Sequence, residues 1–186
     1  RFSVGPPPQE CLEEAGRLED AQVDVDDFAV LDVDVHPALA LDPGQGLPLF
    51  SGPELIAMID AATFVAVNDY EGRLLAERTG LALEAIAQRV DALIVTLGSA
   101  GARIHTGGAT IELPVVPATA VVDPTGCGDA FRAGLLYGIV QGWDWERTGR
   151  LAATLGSIKI ASRGGQNHAL SRDRVAALHY EVFNDY

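Results

Sequence analysis

The segment from Asp123 to Asp129 combines glycines and carboxylates at a spacing suited to anion chemistry. Gly126-Cys127-Gly128-Asp129 opens a predicted helix over 126–140. Two glycines around one small residue let the backbone turn N–H groups toward one point, and a helix N-terminus favours negative charge there. A carboxylate beside such a site can take a proton from a hydroxyl while the N–H groups hold a phosphoryl group. The segment therefore predicts an anion hole with Asp129 as a general base.

Simpler interpretations of the same residues stay open at this point. Asp129 can merely complement a helix N-terminus, and the glycines can merely form a turn. Arg132, one turn further on, can reach a phosphate or can be an ordinary surface arginine. A cysteine at a helix N-terminus can be reactive, but no histidine is near Cys127 in sequence, so we do not predict a catalytic cysteine. The motif is neither a Walker A loop nor GxGxxG.

The elements that must position these residues alternate between apolar strands and helices. Periodicity predicts helices over 51–62, 69–80, 81–90, 126–140, 144–162 and 172–183, and strands over 63–68 and 91–98. A hairpin is predicted over 102–116 with its turn at Gly107-Gly108, and a β-type run from Ala120 to Val122. This alternation indicates an α/β fold, a mostly parallel sheet with helices on both faces. Such folds place their sites beyond the carboxyl ends of the strands, where Asn68, Thr96 and Asp123 lie.

Composition excludes several classes of function. The chain has 186 residues, is 48% hydrophobic and carries a net charge of -13, from 26 acidic and 13 basic residues. This charge repels nucleic acid and acidic membranes, so we expect neither as a partner. No apolar run is long enough to span a bilayer, and the first residues do not resemble a signal peptide. Cys11 and Cys127 form no disulfide framework, which favours a cytoplasmic protein.

The acidic excess is concentrated near the N-terminus. We predict an acidic, irregular segment over residues 1–36 and one domain over residues 37–186. An acidic metal-binding strip is the alternative for the first segment, although it contains no loop with calcium-ligand spacing.

Several motifs in order resemble one enzyme family. DPTGCGDAF (123–131) is similar to the D-T-x-G-A-G-D signature of the ribokinase-like (PfkB) carbohydrate and nucleoside kinases, with proline in the second place and Cys127 in the usual alanine place. Asn68 to Glu71 matches the N-x-x-E element of that family, and TLGSAGARIH (96–105) matches its T-x-G-x-x-G segment. SRGGQNHAL (162–170) resembles its late loop beside adenine. DPGQGLP (42–48) resembles bacterial adenosine-kinase-like members.

The resemblance implies a three-layer ribokinase-like fold, with ATP and Mg²⁺ as cofactors. Asp129 would be the base, and the N–H groups of Gly126, Cys127 and Gly128 would form the anion hole. Asn68 and Glu71 would act on Mg²⁺, largely through water. The nucleotide-binding residues would be Thr96, Gly98, Gly101, Asp123 and, near the base, Asn167. Each has a structural alternative: Asn68 can end a strand, Glu71 can be a solvated helix residue, and Gly98 and Gly101 can punctuate a hairpin.

The resemblance covers roughly residues 38–180 and corresponds to the C-terminal, nucleotide-binding part of such kinases. The N-terminal half of the family, with its lid, its Gly-Gly motif and its substrate aspartate, has no counterpart here. The implied activity is transfer of the γ-phosphoryl group of ATP to a hydroxymethyl group of a small-molecule sugar or nucleoside, with adenosine favoured. We expect weak activity from this chain and self-association as a homodimer. The alternative is a catalytically silent nucleotide-binding or interaction module.

Overall fold

The computed structural model describes residues 39–184, so the predicted acidic segment over 1–36 lies outside the described residues. Five strands form one sheet in the order β1-β2-β3-β4-β5. They are β1 (Ala40–Leu41), β2 (Phe64–Asn68), β3 (Ala92–Thr96), β4 (Ala102–Thr106) and β5 (Ala109–Leu113). The first three strands are parallel, and β4 and β5 continue the sheet as an antiparallel hairpin. The predicted α/β class is confirmed, and the sheet is mixed.

Helices cover both faces of this sheet. They are α1 (Gly52–Ala61), α2 (Asp69–Thr79), α3 (Leu83–Ala87), α4 (Cys127–Val140), α5 (Trp145–Ile160) and α6 (Arg172–Phe183). Two 3₁₀ helices, Gly44–Leu49 and Gly98–Ala100, complete the described elements. Within residues 39–184, no helix combines the length and apolar character that a bilayer span requires.

Side-chain alternation along the strands divides the core into two layers. Val65 and Val67 of β2 pack with buried residues of α1 and α2, whereas Phe64 packs on the opposite face with Phe131 and Leu135 of α4. Successive side chains of a strand point to opposite faces, so fully apolar strands are expected where both faces are covered. The three layers are therefore helices, sheet and helices, as the resemblance implied.

Helices α4 and α5 make the closest helix contact of the site's layer. A Cβ atom added at Gly134 would lie 2.6 Å from the Cα of Ala152, and one added at Gly138 would lie 2.5 Å from Oγ1 of Thr148. Only glycine allows backbones to approach so closely. This contact fixes α4, and with it Asp129, relative to the loop that follows α5.

The expected turns are present, and one predicted element is wrong. Gly107 and Gly108 both adopt positive φ, +55° and +79°. A two-residue hairpin turn such as the one between β4 and β5 requires this conformation. The run from Ala120 to Val122 is not a strand. Its valine-rich pattern is typical of strands, but the Val122 N–H donates to the carbonyl of Ile160 at the end of α5, 2.9 Å away, instead of to a strand.

Candidate active site

A cavity of about 140 Å³ lies where the parallel strands β2 and β3 end. The carboxyl ends of parallel strands are the usual place for a site in an α/β sheet. Asn68 ends β2 and Thr96 ends β3, and the two residues are direct partners in the parallel register. The first turns of α4 close the cavity on one side. It is lined by Ala66, Val67, Asn68, Glu71, Ile94, Thr96, Gly128, Phe131 and Arg132. Residues from three separate sequence motifs therefore share one space.

Asn68 and Glu71 form a reciprocal cap at the start of α2. The Asn68 Oδ1 accepts the Glu71 N–H at 2.8 Å, and the Glu71 Oε2 accepts the Asn68 N–H at 2.9 Å. Each side chain satisfies an amide that the helix leaves without a partner. Glu71 is only 9% exposed, so it is not a solvated helix residue. The cap holds both oxygen-bearing side chains at the wall of the cavity, and a second cavity of about 370 Å³ borders the same two residues.

The glycine turn, residues 126–128, begins α4. Gly126 is the N-cap with φ +79°. This conformation favours glycine. The Cys127 N–H donates to the carbonyl of Pro124 at 3.0 Å. Within residues 39–184, the N–H groups of Gly126, Gly128 and Asp129 have no hydrogen-bond acceptor. These three N–H groups, at a helix N-terminus, are suited to an anion, whereas that of Cys127 is already engaged.

Arg132 connects the glycine turn to the segment that follows β1. Its Nε lies 2.5 Å from Oδ2 of Asp42, and its Nη2 lies 2.9 Å from Oδ1 of the same carboxylate. Its Nη1 lies 3.5 Å from Oδ1 of Asp129. A bidentate pair holds a guanidinium in a fixed orientation. Arg132 is therefore held at the cavity wall beside Asp129, whose own side chain is 85% exposed. Sequence reasoning assigned no role to Asp42, which is 90 positions away from its partner.

Asp123 ties the glycine turn to the loop after α5. Its Oδ2 accepts the Gly164 N–H at 2.8 Å, and its Oδ1 accepts the Thr125 N–H at 2.9 Å. These bonds, that from Gly164 first, lower the pKa of the Asp123 carboxyl to about 2. Because both of its oxygens hold backbone groups, Asp123 organises the loops around the predicted nucleotide site.

This low pKa predicts how the stability contributed by the Asp123 hydrogen bonds depends on pH. A carboxyl whose folded-state pKa lies below its unfolded value of 3.8 stabilises the fold above that value, and the stabilisation is lost as pH falls toward about 2. Asp123→Asn puts an amide N–H against a backbone donor, so we expect a lower urea midpoint at about pH 6. The difference from wild type should shrink at about pH 3. If the urea midpoints of wild type and Asp123→Asn differ by the same amount at both pH values, the assigned hydrogen bonds of the Asp123 carboxylate are contradicted.

The other residues predicted to bind the nucleotide lie at the margins of the site. Gly98, with φ +58°, starts the 3₁₀ turn after β3. At Gly101, an added Cβ would lie 2.0 Å from the carbonyl oxygen of Leu113, so the hairpin itself requires this glycine. Asn167 Nδ2 donates to the carbonyl of Arg163 at 3.1 Å. None of these three residues lines the cavity described above.

Cys127 is not activated for nucleophilic attack. Burial raises the pKa of its thiol, and its Sγ lies 3.9 Å from the carbonyl oxygen of Asp123. A raised pKa keeps the thiol protonated near neutral pH, which makes it a poor nucleophile. We therefore assign the Cys127 thiol no role as a nucleophile.

This arrangement has close counterparts among known proteins. Residues 42–172 match the pfkB family of carbohydrate kinases. The chain belongs to the pfkB family. A nucleoside kinase of Burkholderia thailandensis, solved in complex with inosine, superposes with a TM-score of 0.77 at 50% identity, over 78% of this chain and 48% of that one. The Methanocaldococcus jannaschii nucleoside kinase is 37% identical over 74% of this chain and 45% of its own length.

Sugar kinases are also similar to this chain. The ribokinase of Lactococcus lactis is 34% identical over 60% of this chain and 36% of its own length. The chain spans about half the length of the nucleoside kinases it matches. The matched half contains both the Asn68–Glu71 cap and the glycine turn.

Proposed function

We propose that this chain carries the nucleotide-binding and phosphoryl-transfer part of an ATP-dependent kinase that phosphorylates a hydroxymethyl group of a nucleoside. The shared cavity carries the proposal, because it brings together Asn68, Glu71, Thr96, Gly128 and Arg132. Nucleosides are favoured over sugars because the two nucleoside kinases are 50% and 37% identical to this chain, whereas the ribokinase of Lactococcus lactis is 34% identical over a shorter part of it. Adenosine is our preferred acceptor, and inosine is the nucleoside seen with the Burkholderia thailandensis relative.

The chemistry follows from charge and position. The unpaired N–H groups of the glycine turn and the guanidinium of Arg132 would face the phosphates and stabilise the negative charge of the group in transfer. The Asp129 carboxylate would accept the proton of the acceptor hydroxyl as its oxygen attacks the γ-phosphorus, and ADP would leave. The exposure of Asp129 leaves its oxygens accessible to a substrate.

The oxygen ligands at the cavity fit a magnesium ion that keeps much of its water. Glu71 uses Oε2 in the helix cap and has Oε1 without a hydrogen-bond partner among residues 39–184. The described residues contain no cluster of three or more His, Cys, Asp or Glu that could hold a metal by themselves. Mg²⁺ typically uses one or two carboxylates, waters and phosphate oxygens, and it neutralises phosphate charge. Glu71 and Asn68 would hold it largely through water.

Glu71→Gln is expected to raise the magnesium concentration needed for half-maximal ATP binding by about tenfold, since it removes one charge from the site. Glutamine can still accept the Asn68 N–H, so the helix cap is retained. Glu54→Gln is a matched control, because the Glu54 Oε2 accepts the Ser51 N–H at 2.8 Å in the corresponding cap of α1, away from the cavity. Equal magnesium titrations for Glu71→Gln and wild type would count against the metal role.

The proposed activity is tested by magnesium- and acceptor-dependent release of ADP from ATP. Adenosine, inosine, ribose and fructose should be compared as acceptors with this chain. Release that depends on a nucleoside supports the proposal, and release that depends only on a sugar moves the acceptor class to carbohydrates. Tight ATP binding with no release for any acceptor supports the second candidate.

The second candidate is a nucleotide-binding module without catalysis. The observation that favours it is coverage, since the chain matches only 45–48% of the length of the nucleoside kinases. Active-site closure commonly completes a kinase site and excludes water. A partial chain can therefore bind ATP and still lack turnover.

A further inference from the structure

The chain contains a single lysine, and that lysine is fully buried. Twelve of the 13 basic residues are arginines, and the remaining one is Lys159 near the end of α5. Its side chain has 0% exposure. Lysine is among the residues least often fully buried, because its charge loses hydration. A buried lysine in a chain that otherwise uses arginine indicates a position where only a compact ammonium fits.

The surroundings of Lys159 explain what the ammonium does. Its Nζ donates to the carbonyl oxygen of Asp123 at 2.9 Å and to that of Ser162 at 3.1 Å. One carbonyl belongs to the segment that enters the glycine turn, and the other belongs to the loop that follows α5. The positive charge also lies close enough to the Asp123 carboxylate to lower the pKa of that group further.

Every polar group of Asp123 forms a hydrogen bond with the end of α5 or with the loop that follows it. Its N–H donates to the carbonyl of Ile160 at 3.2 Å, and its carboxylate accepts the Gly164 N–H. Its carbonyl accepts the Lys159 ammonium. The glycine turn then packs directly on the same loop, because a Cβ at Gly126 would lie 2.9 Å from the Cα of Gly165.

We propose that Lys159 is a positioning residue, whose ammonium joins the loops before and behind the glycine turn and so holds its N–H groups in the anion-binding conformation. This inference rests on the proposed function for its consequence, phosphate binding, but the loop contact can be tested without it. Lys159 lines no part of the cavity described above, so it acts through the backbone of Asp123 and Ser162.

The test compares Lys159→Met, which keeps length without charge, with Lys159→Arg and Lys159→Ala. Lys159→Met and Lys159→Arg should bind Mg-ATP about tenfold or more weakly, because neither reproduces a compact donor between two carbonyls. Methylammonium should restore much of the binding to Lys159→Ala, and tetramethylammonium, which has no N–H, should not. Arg172→Met removes one exposed charge at the start of α6, outside the loop that resembles the one beside adenine, and should bind ATP nearly as wild type does. Unchanged binding by Lys159→Met, at equal thermal stability, would overturn the proposal.

A second measurement separates this proposal from the proposed function. If wild type does not bind ATP, the proposed function fails. Amide hydrogen exchange then tests whether Lys159 joins the two loops. Faster exchange at Cys127 and Gly164, whose amides donate to Pro124 and Asp123, in Lys159→Met, with β3 unchanged, supports it, and unchanged exchange overturns it.

If Lys159→Met does not fold, acylation of wild type by acetic anhydride tests instead whether the Lys159 ammonium is held in its buried contacts. The proposal predicts that Lys159 reacts at least about 100-fold more slowly in the folded chain than in the chain unfolded by urea, since reaction requires local opening. Equal rates would overturn it.

Discussion

Asp129→Asn is expected to reduce phosphoryl transfer by about 1,000-fold while leaving ATP binding within about twofold of wild type. The substitution preserves shape but removes the group that accepts the hydroxyl proton. The Asp129 side chain is exposed and makes only a 3.5 Å contact with Arg132, so its loss should not unfold the chain. ADP release measures the first effect, and calorimetry with Mg-ATP measures the second.

Asp173→Asn is the matched control for this variant. Asp173 is also an acidic residue in the first turn of a helix, α6, and it lies outside the cavity. If Asp129 only complemented the dipole of α4, the two variants would behave alike, with small losses of stability and no loss of rate. Equal transfer rates for Asp129→Asn and wild type would contradict the assignment of Asp129 as the base.

Gly126→Ala is expected to weaken Mg-ATP binding by at least tenfold and to lower the free energy of unfolding by more than the roughly 1–2 kcal/mol of a left-handed alanine. The added Cβ meets the Cα of Gly165 at 2.9 Å and its carbonyl oxygen at 3.0 Å. Backbone atoms cannot rotate away, so the glycine turn must move off the loop behind it. Binding calorimetry and urea unfolding measure the two effects.

Gly142→Ala is the control for Gly126→Ala, because it measures the cost of a left-handed alanine without a close contact. Gly142 also has positive φ, +66°, but an added Cβ there has no atom within 4 Å. It should lose about 1–2 kcal/mol of stability and bind ATP as wild type does. If the two alanine variants are equally stable and bind ATP equally, the close contact between the glycine turn and its supporting loop is not required.

The sequence predicted the elements of the fold well because their signals are local. Apolar strands over 63–68 and 91–98, the Gly107-Gly108 turn and the left-handed Gly80 cap of α2 all depend on residues near one another in the chain. The strand predicted from Ala120 to Val122 was wrong. Valines favour strands locally, but the backbone of this run bonds to the distant Ile160.

The site was predictable in part. Asn68-x-x-Glu71 was singled out for metal chemistry, yet the same spacing is a helix capping box, a signal that the sequence carries twice, at Ser51 and at Asn68. The cap uses only Oε2 of Glu71, so Oε1 stays available for the proposed metal role.

Two contacts of the site could not be predicted from local patterns. Arg132 and Asp42 form their bidentate pair across 90 positions, and Lys159 reaches Asp123 across 36. Both depend on how α4 and α5 pack, which no short spacing encodes. The isolated lysine among arginines was nevertheless visible in the composition.

In the proposed function, the glycine turn and the Asn68–Glu71 cap receive the phosphates of a nucleotide. The most direct test is a titration of the isotope-labelled chain with Mg-ATP, followed through its backbone amide resonances. We predict that the amides of Gly126, Gly128 and Asp129 shift most and together, with Glu71 following only when magnesium is present. Shifts confined to the β4–β5 hairpin, or no shifts at millimolar ATP, would contradict phosphate binding at the glycine turn.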